Sequence, residues 1–301
     1  MAAINHALLA SLFTGFKANF QGGLVTVTPA WERVATRIPS TTKSNTYGWM
    51  NQIPRFSEWT GTRTLASIAT SGYQITNKDF EATVSVKSTD IEDDEMGIYA
   101  TLFRELGQAA AIFPDELVFA LLAAGSSTLC HDGQYFFDVD HPVYPNADGT
   151  GTAVATSNVT TGSSPAWYLL DTSKAIKPLI FQERKKPNLV AMTAADDEQK
   201  FMGNVYRYGA DLRCNVGFGF WQMAYKSQAT LNAANFNDAY AKMQSFKADG
   251  GRPLAITPTL LVVPPTLRAA ALDVVKAERS ASGATNTNFN AVDVLVSSYL
   301  S

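Results

Sequence analysis

The apolar residues near the start of the chain recur at helical spacing. They fall on one face of a 3.6-residue period: Ile4, Leu8, Leu12, Phe13, Phe16 and Phe20. The pattern predicts an amphipathic helix that ends at Gly22-Gly23. Because an apolar stripe of this size is costly to leave in water, we expect it to pack on another surface, which a neighbouring molecule could supply.

A polar, turn-rich segment at residues 41–73 shows no long helical or alternating pattern. Four aromatic residues are scattered through it: Tyr47, Trp49, Phe56 and Trp59. One interpretation is a surface hairpin that buries these aromatics in its own core. The other is a long extended loop whose aromatics anchor on another chain, since Trp and Tyr bury a large area with few rotatable bonds.

The segment from Phe80 to Gly125 reads as a strand followed by a long helix. FEATVSVKS alternates from Phe80 onward, which is typical of a strand. The later apolar residues follow a 3.6-residue period: Ile98, Tyr99, Leu102, Phe103, Leu106, Ala109, Ala110 and Phe113. Acidic residues at 92–95 would stabilise the positive end of a helix, and Pro114 either kinks the helix or opens a second one. The pattern predicts a helix over roughly 94–124, about 45 Å long at 1.5 Å per residue.

The remainder of the chain has three parts of different character. Residues 126–166 are rich in Gly, Ser, Thr and Asn and predict loops. Strand-like runs fill residues 167–225. Residues 231–301 predict helix, strand, helix and strand in that order, which is typical of a compact α/β subdomain.

The charge and cysteine content argue against some classes of protein. Only 17% of residues are charged, so Thr, Ser, Asn and Gly cover the surface or part of it is hidden against other chains. The net charge of −3 lacks the basic excess that tight nucleic-acid binding needs. Cys130 and Cys214 lie far apart and suit a reducing compartment without a disulfide. The longest apolar run, at 117–124, is too short to span a bilayer, so no membrane contact is expected.

The segment CHDGQYFFDVDHPVYP at 130–145 concentrates potential ligands and catalytic groups. They are Cys130, His131, Asp132, Asp138, Asp140 and His141. Adjacent Cys130 and His131 cannot easily face one ion, and no spaced metal motif occurs. The plainer interpretation is a turn at Asp132-Gly133, a short strand over 134–138 and a stop at His141-Pro142. Because no nucleophile elbow, phosphate loop or dinucleotide fingerprint occurs elsewhere, a metal-dependent enzyme using residues 130–141 is only an alternative.

The strongest basic patch is the run QERKKP at 182–187. Such a run is usually a solvated hairpin tip, where exposed charges contribute little to stability. Inter-subunit salt bridges are the competing interpretation for Glu183, Arg184, Lys185 and Lys186.

Nine segments of the chain, in order, resemble the major head subunits of Mu-like bacteriophages. They are SNTYGW (44–49), EWTGTR (58–63), FEATV (80–84), IEDDEMGIY (91–99), PDEL (114–117), DGQYFFDVDHPVYPNADGTG (132–151), WYLLDTSKAIKPLIFQERKKP (167–187), GFGFWQMA (217–224) and LVVPP (261–265). Any one of these segments alone would be weak evidence of a relationship. Together they extend over nearly the whole chain, which makes the resemblance specific.

The resemblance implies the α+β fold of tailed-phage major capsid proteins. That fold has an N-terminal arm, an extended loop, a peripheral domain with a long spine helix, and an axial domain. The matching candidates are residues 1–40 for the arm, 41–78 for the extended loop, 79–230 for the peripheral domain and 231–301 for the axial domain. Long peripheral strands follow the axial domain in relatives but here precede residue 231, so we expect a permuted segment order.

By the same resemblance, copies of the chain would form hexamers and pentamers of an icosahedral head that encloses double-stranded DNA. No enzymatic activity and no cofactor are expected, and a small closed oligomer with a binding role is the other alternative. The expected partners are further copies, a separate scaffolding protein (because the chain begins directly at its arm), a portal, and head decoration or completion proteins. Assembly is expected in the bacterial host cytoplasm, and the product is the virion. The predicted inter-subunit contacts are Phe13, Phe16, Trp49, Phe56, Trp59, Arg63, Glu183, Arg184, Lys185 and Lys186.

Overall fold

The computed structural model describes residues 6–48, 72–93, 97–194, 197–280 and 283–301. The helices in these ranges are α1 (His6–Thr26), α2 (Ser88–Glu92), α3 (Ile98–Ala123), α4 (Glu198–Gly203), α5 (Ala233–Gln244) and α6 (Arg268–Val275). The strands are β1 (Ala35–Pro39), β2 (Ser44–Tyr47), β3 (Tyr73–Thr76), β4 (Lys78–Lys87), β5 (His141–Val143), β6 (Val154–Thr156), β7 (Val159–Thr160), β8 (Trp167–Leu170), β9 (Leu179–Met192), β10 (Val205–Phe218), β11 (Ala224–Ser227), β12 (Leu260–Val263) and β13 (Asp293–Val296).

A four-stranded sheet, in the order β1-β9-β10-β4, is built around two 14-residue strands. β9 and β10 are antiparallel, and β4 is antiparallel to β10 along its whole length. β1 is parallel to β9, with Ala35 opposite Leu179 and Pro39 opposite Glu183. The N-terminal part of the chain is thereby joined to a strand that follows much later in the sequence.

Helices α1 and α3 pack together on one face of this sheet. Phe16 and Phe20 of α1, Phe103 of α3 and Tyr208 of β10 are buried in one hydrophobic cluster. The ring centroid of Phe103 lies 4.4 Å from that of Phe16 and 5.0 Å from that of Tyr208. Since aromatic rings bury large apolar areas, this cluster fixes α1 onto the body of its own chain.

Two glycines let the backbones of α1 and α3 approach closely. A Cβ atom on Gly23 would lie 2.1 Å from the carbonyl oxygen of Arg104, and one on Gly107 would lie 2.2 Å from that of Phe20. Helix α1 continues through Gly22 and Gly23 to Thr26, so the predicted end at this pair is wrong. Gly23 serves the packing of two helices rather than the end of one.

The predicted long helix is present but starts later than expected. α3 has 26 residues, which corresponds to about 39 Å at 1.5 Å per residue. It begins after Gly97, whose φ of 64° lies in the left-handed region that favours glycine. The acidic segment before it belongs in part to the separate helix α2. Pro114 lies within α3 and does not open a second helix.

By length and composition alone, the helical segment Ile98–Ser126 could cross a membrane. In the structure, α3 lies against α1, β9 and β10. The buried carboxylate of Asp115 accepts hydrogen bonds from the backbone nitrogens of Ala30 and Trp31 at 3.1 and 2.6 Å. These contacts are those of a helix that packs within the fold.

A five-stranded sheet, in the order β13-β12-β8-β11-β7, forms a second lobe with α5 and α6. Every residue of β8 and β12 is buried, as expected of central strands. The sheet takes β7, β8 and β11 from the predicted peripheral domain and β12 and β13 from the predicted axial domain. The predicted boundary at residue 230 therefore divides one sheet, because side-chain alternation identifies strands but not their partners.

The predicted extended loop has a two-stranded stem, which we call the loop stem and which consists of β2 and β3. The strands are antiparallel, with Ser44 opposite Thr76 and Tyr47 opposite Tyr73. Tyr47 is 3% exposed and packs within its own chain against Ile75 and against Ile180 of β9. Four of the predicted contact residues lie outside the described residues: Trp49, Phe56, Trp59 and Arg63.

Candidate functional site

Asp132 connects two other potential metal ligands in the 130–141 segment. The thiol of Cys130 donates to Asp132 Oδ1 at 3.0 Å, and the backbone nitrogen of Gln134 donates to the same oxygen at 3.0 Å. Nδ1 of His141 lies 2.7 Å from Asp132 Oδ2. The ligand atoms of Cys130, Asp132 and His141 all lie within 4.8 Å of one another. Cysteine, histidine and aspartate are also the residue types that bind zinc, so the chemistry of this cluster decides its role.

The cluster borders the aromatic core of the second lobe, to which Cys130 belongs. His141 is fully buried, and its ring stacks on that of Trp221 with centroids 4.0 Å apart and planes within 8°. The predicted turn is present, with Gly133 at a φ of 86°. The predicted strand over 134–138 is absent; Phe136 and Phe137 instead point their rings into the hydrophobic core. The segment is therefore held as a compact turn.

The thiol of Cys130 and the imidazole of His141 form an internal hydrogen-bond network around Asp132. Burial raises the pKa of the Cys130 thiol, and the charge of Asp132 raises it further, so the thiol keeps its proton. Burial would also raise the pKa of Asp132, but hydrogen bonds from His141 and Cys130 lower it to about 2. A metal would need the thiolate, and a catalytic cysteine would need the imidazole as its base. Here the thiol and the imidazole both bind the carboxylate instead.

We expect Asp132→Asn to flatten the acid dependence of stability. A lowered pKa stabilises the folded chain at pH values above the ordinary 3.8, and this contribution is lost as the pH falls from 3.8 towards about 2. The measurement is the free energy of unfolding of the unassembled chain as a function of pH. The wild type should lose stability more steeply than the variant over that interval, and equal slopes would contradict the network.

The N-terminal contact residues face the chain's own fold. Phe16 is 6% exposed and is covered by Phe103 and Tyr208. Phe13 is half-buried, with its ring centroid 6.4 Å from that of Tyr208. Phe16 and Phe20 of the apolar stripe are thus covered within one chain, which leaves Phe16 little surface for the predicted inter-subunit contact. Phe13 keeps some exposed surface and stays a prediction.

The charged run at 183–186 lies in the middle of β9 and not at a hairpin tip. β1 covers β9 only as far as Glu183, and no other strand among the described residues pairs with this edge of β9 from Arg184 onward. Pro187, which has no N–H group, falls where the register of β9 and β10 shifts. Charged residues and proline are the usual protection of an open sheet edge against unwanted pairing.

Two of the four charged residues have ion-pair partners within the chain. Lys185 contacts Asp211 of β10, and Glu183 lies 4.0 Å from Arg37 of β1. Arg184 and Lys186 are exposed and form no ion pair with another residue that the structure describes. Those two side chains are available to a second molecule, so they stay predicted inter-subunit contacts.

Sequence reasoning missed an exposed apolar pair on α4, between β9 and β10. Phe201 and Met202 are 85% and 77% exposed. The apolar spacing predicts a strand here, whereas the structure has a helix, and the carboxylate of Asp197 directly before it accepts from the nitrogen of Ala194 at 2.7 Å. The acidic residues at 197–198 are the signal that could have identified the helix start. An apolar pair at this position is a candidate interaction surface.

The sequence matches known phage head subunits along nearly its whole length. Residues 9–300 match the family described as Mu-like prophage major head subunit gpT. The chain is 46% identical over 288 residues to the major capsid protein of Escherichia phage Mu, covering 95% of this chain and 94% of that protein. It is 47% identical over 283 residues to the Mu-like prophage FluMu major head subunit of Haemophilus influenzae, covering 92% of each.

Solved phage shells have the same fold. A chain from the procapsid of bacteriophage JBD30 gives a TM-score of 0.89 at 56% identity, covering 98% of this chain and 100% of that one. A chain from the JBD30 capsid gives a TM-score of 0.76 at 44% identity, with both chains covered to 100%. The predicted tailed-phage capsid fold is confirmed. The chain belongs to the family of Mu-like prophage major head subunits, which are structural proteins of the phage head and not enzymes.

Proposed function

We propose that copies of this chain close into an icosahedral phage head, as hexamers and pentamers, around double-stranded DNA. The observation that carries the proposal is the match of 98% of the chain, at a TM-score of 0.89, to a chain of a phage procapsid. A shell needs many contacts that are individually weak. Together they hold the particle through multivalency, and each can still dissociate so that a wrongly placed subunit is replaced. The exposed Phe201–Met202 pair and the open edge of β9 offer surfaces for such contacts.

The two sheets support a division into peripheral and axial parts. We assign the four-stranded sheet with α1 and α3 to the peripheral domain, and the five-stranded sheet with α5 and α6 to the axial domain. Since β7 and β8 precede the long strands while β11 to β13 follow them, the pair β9–β10 interrupts the axial part. This replaces the simpler order in which the axial domain occupies only residues 231–301.

The partners follow from the role of a shell subunit. A JBD30 capsid is decorated with minor capsid protein trimers, which supports a comparable decoration protein here. We also infer a separate scaffolding protein and a portal, with assembly in the host cytoplasm and residence in the virion. The net charge of −3 supports a shell that confines DNA without reading its sequence.

Sedimentation after co-expression with the scaffolding protein of the same phage tests this function. We expect fast-sedimenting material that electron microscopy shows to be closed shells of uniform size. A chain that yields only a small closed oligomer under these conditions would contradict the proposal and favour a binding role.

A further inference from the structure

Gln182 is a fully buried amide in the middle of the four-stranded sheet. Its Oε1 accepts a hydrogen bond from the hydroxyl of Tyr47 at 2.7 Å. Its Nε2 donates to the carbonyl oxygen of Ile75 at 3.1 Å and to Oδ1 of Asn77 at 2.8 Å. These partners lie on β2, on β3 and directly after β3. One side chain of β9 therefore holds both strands of the loop stem.

A second layer of hydrogen bonds extends this network to β1. Nδ2 of Asn77 donates to Oγ of Ser40 and to the carbonyl oxygen of Thr42, each at 2.9 Å. The hydroxyl of Ser40 donates to Oδ1 of Asn45 at 2.8 Å, and its backbone nitrogen donates to the carbonyl oxygen of Glu183 at 2.8 Å. The polar groups at the base of the stem are thus joined to one another and to β9.

The stem is also fitted closely against β10. A Cβ atom on Gly217 would lie 2.2 Å from Cδ1 of Ile75, so any larger residue there would force the Ile75 side chain to move. The backbone nitrogen of Phe218 donates to the hydroxyl of Tyr73 at 3.0 Å, and Nδ2 of Asn215 donates to the carbonyl oxygen of Thr76 at 2.6 Å. The stem has only four residues in each strand, and so short a ribbon does not hold a direction without such anchors.

A buried amide is not needed for stability alone. An apolar side chain of similar shape, with apolar partners, could fill such a site at little cost in free energy. Directional hydrogen bonds differ from apolar contacts because they specify one arrangement of their partners. The amide of Gln182 therefore fixes the positions of Tyr47, Ile75 and Asn77 relative to β9, which an apolar side chain would not do.

We propose that Gln182 is a positioning residue that sets the direction in which the loop stem leaves the four-stranded sheet. It thereby sets the direction in which the chain leaves the stem at Gly48 and re-enters it at Gly72, for contact with the next subunit of the shell. This role rests on the proposed function, since a direction matters only if a neighbouring copy receives the segment.

The test compares Gln182→Met with a matched change in the other lobe, Asn158→Leu. Asn158 is also a fully buried amide; it donates to the carbonyl oxygens of Phe136, Trp221 and Ala224 and accepts from the nitrogen of Asp138. Both variants lose a buried hydrogen-bonding amide, but only Gln182→Met affects the stem. Tyr47→Phe, which removes one hydroxyl, is a milder second variant in case Gln182→Met does not fold.

Two readouts are needed, hydrogen exchange of the unassembled full-length chain and the yield of closed shells with the scaffolding protein. In Gln182→Met and Tyr47→Phe we expect exchange at residues 44–47 and 73–77 to rise on the order of tenfold, with fewer closed shells. In Asn158→Leu we expect faster exchange near residues 136–138 and 224–228, unchanged exchange in the stem, and shells of normal yield.

Unchanged stem exchange in Gln182→Met and Tyr47→Phe would overturn the anchoring role. A loosened stem with normal shells would overturn the link between stem direction and assembly while leaving the proposed function intact. Failure of the wild-type chain itself to form shells would instead overturn the proposed function, and the presentation role with it.

Discussion

Phe103→Ala is expected to lower the free energy of unfolding of the unassembled chain by about 3–5 kcal/mol. Phe103 is fully buried, and its ring touches both Phe16 of α1 and Tyr208 of β10. Truncation removes the apolar contact area and leaves a cavity where α1, α3 and the sheet meet. Urea unfolding followed by circular dichroism measures the loss, and exchange at α1 amides should rise with it.

Leu102→Ala is the matched control, since Leu102 is the preceding residue of the same helix and is 38% exposed. Its loss should stay below about 1 kcal/mol. If Phe103→Ala were no more harmful than this control, α1 would not be docked on α3 of its own chain in solution. The result therefore also tests whether Phe16 is covered within its own chain.

Gly107→Ala is expected to lower the free energy of unfolding by about 1–3 kcal/mol, although it adds a single methyl group. The new Cβ atom would meet the carbonyl oxygen of Phe20 at 2.2 Å, so the two helix backbones must move apart. A backbone atom cannot turn aside as the end of a flexible side chain can. Thermal unfolding of the unassembled chain measures the change.

Gly22→Ala, in the same helix pair, is expected to raise the free energy of unfolding instead of lowering it. Among the described residues outside its own helical turn, no atom lies within 4 Å of a Cβ atom placed on Gly22, so the variant should gain up to about 1 kcal/mol from the higher helix propensity of alanine. Gly23→Ala, one position later, should destabilise as Gly107→Ala does. Equal effects of the changes at positions 22 and 23 would contradict the close approach of α1 and α3.

The elements that could be predicted are those whose signal lies within a single segment. Helix α3 follows from a long apolar period, which needs no knowledge of the rest of the chain. The apolar stripe of α1 likewise predicts that Phe16 is buried against another surface. It does not show what covers Phe16, because an apolar face is satisfied equally by a neighbouring molecule or by Phe103 of the same chain.

The features that could not be predicted depend on partners distant in the sequence. β8 and β9 both read as buried strands, but they belong to different sheets because their pairing partners differ. In the 130–141 segment the ligand types were evident. Whether they form a site depends on which atom carries each proton and on Trp221, some eighty positions later, which covers His141. Such facts arise from packing and not from spacing.

The parallel pairing of β1 with β9 sets an order of events during synthesis of the chain. Helices α1 and α3 can pack as soon as α3 has left the ribosome, whereas the partner of Ala35 is Leu179. Joining segments so far apart is slow, since the entropy of closing the intervening chain must be overcome first. Gln182 emerges with that same strand. The four-stranded sheet against which the loop stem packs therefore cannot be completed before translation has passed β9.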